Sequence, residues 1–93
     1  MDDLNDCYSI EDLTEDFLRE IILRSESALA KVHVFNEKSL KESLVELILR
    51  CHAMLIKQSY EFPVTYYDLL FFNNYYKLLD SVERQIKKKE NQL

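Results

Sequence analysis

The chain has no glycine, a single proline and no tryptophan. Tight β-hairpins draw on Asn-Gly, Asp-Gly or Gly-Gly pairs at positive φ, so an all-β fold with many turns is excluded. The glycine-dependent phosphate loops, the dinucleotide fingerprint and the nucleophile elbow are excluded with it. No apolar run is long enough to cross a bilayer, and no N-terminal stretch reads as a signal peptide. Only two cysteines occur, Cys7 and Cys51, without a C-x-x-C spacing. They read as free thiols in a reducing, cytoplasmic setting.

Chemistry-bearing constellations are equally sparse. The candidate metal ligands are Cys51, His52 and His33, but adjacent helical residues point about 100° apart, so Cys51 and His52 do not converge on one ion. No Glu-x-x-His pair occurs, because Leu49 and Ala30 stand three residues before the two histidines. Cys51 as a nucleophile with His33 as base would need a helix N-terminus or a basic cluster to lower the thiol pKa. A mid-helix apolar position offers neither. The expectation is a non-enzymatic protein with no metal and no cofactor.

A formal net charge of −5 argues against a phosphate backbone as partner, since such binding rests on Lys and Arg. The charge is unevenly spread: positions 1–20 carry eight acids against Arg19, while Arg84, Lys87, Lys88 and Lys89 cluster near the other end. Helix dipoles favour this arrangement, and so does a basic partner at the N-terminal face.

With 47% hydrophobic and 31% charged residues, 93 positions make one helical domain, preceded by an acidic leader over 1–8. Capping boxes at Ser9/Asp12, Ser39/Glu42 and Thr65/Asp68 predict three helix starts. The apolar spacing then predicts helices over about 10–30, 40–58 and 66–89, with a weak point at Ser25-Glu26-Ser27. Pro63 separates the second helix from the third. The β-branched stretch Val32 to Asn36 reads as a short extended connector or as the frayed end of the first helix. The expected fold class is all-α, a three-helix antiparallel bundle whose second helix is apolar on most sides.

Eight of the eleven aromatic residues fall between Tyr60 and Tyr76. A helical projection of the third helix puts Tyr67, Phe71, Tyr75, Leu78, Val82 and Ile86 on one stripe, expected to be the core face. Leu69, Phe72 and Tyr76 form an adjoining shoulder, expected to bind a partner together with Tyr66 and the acids Asp12 and Asp16; the alternative is that the first two helices wrap both faces and make the shoulder core as well. The stretch from Tyr66 to Phe72 is also similar to the short apolar peptides that dock on DNA sliding clamps, although it lacks their leading glutamine and follows a helix cap.

The runs Phe62-Pro63-Val64-Thr65-Tyr66-Tyr67-Asp68-Leu69-Leu70, Tyr75-Tyr76-Lys77-Leu78-Leu79 and Val82 to Asn91 resemble the closing segment of tailed-phage tail and baseplate assembly chaperones. The likeness covers about a third of the chain. It implies a non-catalytic role in the host cytoplasm, binding another protein's apolar segment during assembly. The expected function is therefore a small protein-binding module, an assembly chaperone or an inhibitor. The alternative is a structural subunit that self-associates into a homodimer or larger bundle. Neither a membrane nor a nucleic acid is an expected partner.

Overall fold

The computed structural model describes residues 8–32 and 38–92, and it is a three-helix bundle with no strand among them. Helix α1 spans Glu15–Val32, α2 Lys38–Ser59 and α3 Tyr66–Gln92. Of the expected connector Val32 to Asn36, Val32 is instead the last residue of α1 and is buried, while positions 33–36 lie outside the described residues.

The first capping box forms, but it does not start a long helix. The Ser9 amide and hydroxyl both donate to Asp12 Oδ2, at 2.8 and 3.0 Å, and close only a 3₁₀ turn over Ile10–Asp12. Leu13 then adopts φ −85°, ψ 61°, and the Thr14 amide donates to the Asp12 carbonyl at 2.9 Å, an inverse γ-turn. That break swings Leu13 into the core. Thr14 becomes the true cap of α1, its Oγ1 accepting from the Phe17 amide at 3.2 Å. The helix runs unbroken through Ser25-Glu26-Ser27, where a weak point was expected.

Helix α2 begins by Lys38, so Ser39 lies inside it and does not act as the expected cap. Its far end is a Schellman motif: the Phe62 amide donates to the Lys57 carbonyl at 2.8 Å and the Glu61 amide to the Gln58 carbonyl at 3.0 Å. Glu61 takes the left-handed position, at φ 64°. The third box forms as expected. Thr65 N–H and Oγ1 donate to Asp68 Oδ2 at 2.9 and 3.0 Å, while Asp68 N–H donates to Thr65 Oγ1 at 3.2 Å.

Polar contacts between helices fix their directions. Gln58 Nε2 donates to the Leu13 carbonyl at 2.7 Å, and Lys57 pairs with Asp68 at 2.7 Å, so the end of α2 meets the starts of α1 and α3. Arg24–Glu83 and Lys31–Glu90 share one offset of 59 residues, so α1 and α3 run parallel. Helix α2 is antiparallel to both.

The core is built by Leu13, Leu18, Ile21, Ile22, Ala28 and Val32 on the first helix and its lead-in, joined by Leu44, Leu47, Cys51 and Met54 of α2. Helix α3 contributes Phe72, Leu79, Val82 and Ile86. The stripe expected to be core is thus only half correct. Val82 and Ile86 are buried, but Tyr67 is 74% exposed and Phe71 is 38% exposed, while Phe72 is wholly buried. Helix α2 is also less enclosed than its composition suggests: Val45, Leu49 and Ile56 face outward.

Candidate protein-interaction surface

Either of the two adjoining aromatic stripes of α3 could face inward, and an aromatic residue outside α3, Tyr8, decides between them. Tyr8 lies across the seam between α1 and α3. Its ring centroid sits 4.9 Å from Phe17, 4.9 Å from Tyr76 and 5.9 Å from Phe72. Asn73 holds the same residue by its backbone: Tyr8 N–H donates to Asn73 Oδ1 at 2.9 Å, and Asn73 Nδ2 donates to the Tyr8 carbonyl at 3.1 Å. One side-chain amide satisfies both peptide groups of Tyr8, which fixes that residue against α3. The Tyr76 hydroxyl and partial burial push the Tyr8 phenol up to about 12.

Tyr76 is covered from its other side. Arg24 stacks over its ring at 5.4 Å, donates to its hydroxyl at 3.4 Å, and forks onto Glu83, with Nε to Oε2 at 3.1 Å. The Glu83 carboxylate holds the guanidinium firmly protonated despite its partial burial. This seam is a packed structural interface.

Of the residues expected to bind a partner, Phe72 is therefore core, and Tyr76 and Leu69 pack half-buried against that core. The reason is physical: Phe72 has no polar atom to satisfy, and Tyr8 and Phe17 supply an aromatic lining for its face. Asp12 is exposed but engaged by Ser9, whereas Asp16 and Tyr66 remain at the surface.

What the fold leaves uncovered is a different set. Ile10, Tyr60, Phe62, Tyr66, Tyr67 and Leu70 are all exposed, and the contacts of Gln58 with Leu13 and of Lys57 with Asp68 bring their segments to one end of the bundle. Phe71 borders this end, its ring capped by the Arg50 guanidinium at 4.2 Å. Exposed apolar residues scattered singly are ordinary, but a group of this size at one end makes that end the candidate interaction surface. The aromatic doublets carried that signal, although they could not say which ring of each pair faces outward.

A second apolar feature lies between α1 and α2. A shallow groove of about 460 Å³ is floored by Ile22 and Leu55, edged by Leu23, His52 and Ile56, and reaches Ser59 beside the aromatic end. No signal in the sequence singled it out, because the second helix reads there as apolar on most sides.

Cys51 is fully buried among apolar side chains, and burial pushes its thiol up to about 12. It has the environment of a packing residue. His52 lies exposed on the neighbouring face, and His33 and Cys7 fall outside the described residues. Among the described residues no group of three His, Cys, Asp or Glu side chains could hold a metal ion, and no helix is long and apolar enough to cross a membrane.

Comparison with protein-family models, with curated proteins and with solved structures finds no match to this chain.

Proposed function

We propose that this chain is a small, non-catalytic protein-binding module that docks on a partner through the aromatic end of the bundle. The observation that carries the proposal is the simultaneous exposure of Tyr60, Phe62, Tyr66, Tyr67 and Leu70 where α2 ends and α3 begins. Aromatic side chains supply most of the energy in protein interfaces, at little entropy cost for their area. An assembly chaperone or an inhibitor would use such a surface to mask an apolar segment of its partner. The likeness of residues 62–91 to phage assembly chaperones points the same way. Helix α3 supplies the docking surface in this reading, but through its outward face at Tyr66, Tyr67 and Leu70.

Tyr67→Ser combined with Leu70→Ser tests it. Both side chains are exposed, so the variant keeps its helicity and its melting temperature while losing the partner that the wild-type chain captures. A collapse of helicity, or unaltered capture by a folded variant, refutes the proposal.

Self-association is the second reading, and the groove with Leu23, Leu49 and Ile56 exposed beside it favours it. A chain this small gains much by burying such a stripe against its own copy. Light scattering over a range of concentrations separates the two readings: a constant monomer mass eliminates the second.

A further inference from the structure

The aromatic end is also the acidic end. Among the described residues it carries Glu11, Asp12, Glu15, Asp16, Glu61 and Asp68. Its two basic side chains are already committed, Arg19 to Glu15 at 3.0 Å and Lys57 to Asp68 at 2.7 Å. Glu11, Asp16 and Glu61 have no cationic partner among the described residues. The opposite end is basic, with Lys31, Lys38, Lys41, Arg84, Lys87 and Lys88 where α1 and α3 finish and α2 begins.

We infer that the aromatic end takes a cationic amphipathic segment of another protein, its apolar face on Tyr66, Tyr67 and Leu70 and its Lys or Arg side chains on Asp16, Glu11 and Glu61. This rests on the docking proposal above and adds the chemistry of the partner. Three features of the surface fit such a segment together. Unpaired carboxylates draw cations by long-range steering. Exposed Tyr faces accept guanidinium and ammonium groups, and the fold already stacks Arg50 over Phe71 at 4.2 Å. The same field repels phosphate backbones and anionic lipid, which would otherwise compete for an aromatic surface.

The chain's own basic tail meets only one of these requirements. Helix α3 has 27 residues, so its last turn stands about 40 Å from its first, beyond reach within one molecule. In a second copy the tail could arrive, but from Lys87 to Gln92 it has no apolar side chain to set on the rings. Charge alone would give a head-to-tail contact that does not close.

Three synthetic helical peptides sharing one Leu/Phe face and carrying Lys/Arg, Ser/Gln or Glu on the other are the probes, read by fluorescence anisotropy against the full chain. An exposed ion pair is worth a factor of roughly two to three, so three acids give the cationic peptide about a tenfold advantage over the neutral one. Raising salt should erode that advantage. Asp16→Lys combined with Glu61→Lys should bring the cationic peptide down to the affinity of the neutral one. Equal binding of cationic and neutral peptides, both lost in the Tyr67→Ser, Leu70→Ser variant, overturns the charge inference and leaves the docking surface standing. If no peptide binds, both readings fall. Sedimentation then shows whether the end is a self-contact, by a dimer that the same variant dissolves.

Discussion

Glu61 closes α2 at φ 64°, in the C-terminal position that proteins most often give to glycine. A chain without glycine must put a side chain there. The left-handed conformation costs a residue with a Cβ about 1–2 kcal/mol. Glycine escapes that cost but gives up about 0.5–1 kcal/mol through its greater freedom in the unfolded chain. The Glu61 carboxylate also stands at the negative end of the α2 dipole, an unfavourable contact of about 0.3 kcal/mol at an exposed site. Glu61→Gly should therefore stabilise the fold by about 1 kcal/mol.

For a domain of this size such a gain raises the melting temperature by about 4–8 °C. Circular dichroism melts and urea titrations with an unchanged slope would read it. Glu61→Ala is the matched control, since it removes the charge and keeps the backbone cost; its gain should stay within a few tenths of a kcal/mol. If Ala stabilises as much as Gly, the effect is electrostatic and the backbone reasoning fails. If Gly does not stabilise at all, the Schellman geometry at Lys57, Gln58 and Phe62 is itself wrong.

The remaining expectations concern the core and the caps. Phe72→Ala should destabilise by about 3–5 kcal/mol, whereas Tyr67→Ala should stay within about 0.5 kcal/mol; equal losses in chemical denaturation would contradict the burial of one and the exposure of the other. Ser25 is fully buried and its Oγ has no hydrogen-bond partner among the described residues, so Ser25→Ala should stabilise by about 1 kcal/mol in the same assay, and a loss of stability would reveal a partner. Burial works to raise the Asp68 carboxyl but is outweighed by Lys57 and by the Thr65 amide and hydroxyl, leaving it below its ordinary 3.8. Because the folded pKa is the lower one, its contribution is complete above the unfolded value and fades as pH falls below about 3.8. NMR titration should show the first turn of α3 fraying in that window and not above it; fraying already complete at higher pH would refute the cap.

The third cap and the position of the turn at Pro63 were legible because each rests on local chemistry within four residues, and the helix count because apolar spacing of helical period recurs in three separate runs. The start of α1 was not, since the Ser9 box is real but is cut off by the Leu13 turn, which the core and the Gln58 side chain hold from a distance. Nor was the inward face of α3. In the doublets Tyr66-Tyr67, Phe71-Phe72 and Tyr75-Tyr76 the two members lie about 100° apart, so either stripe offers similar apolar mass. Periodicity alone has no means of ranking them. The expected interaction residues suffered accordingly: Phe72 and Tyr76 turned inward, while Tyr66 and Asp16 stayed at the surface.

The tie is broken by a residue far away in sequence. Tyr8 brings a ring to Phe72 and Tyr76, and Asn73 supplies both hydrogen bonds that its peptide groups need at that depth. Turning α3 the other way would bring Tyr67 and Phe71 inward, strand the Asn73 amide without the Tyr8 backbone, and separate Arg24 from Glu83. The Tyr67 hydroxyl would then need a buried partner as well, whereas in the observed register it meets water. Tyr8, held by Asn73, thus selects which aromatic stripe becomes core, and by the same act leaves Tyr67 and Leu70, with Tyr66 beside them, exposed at the surface.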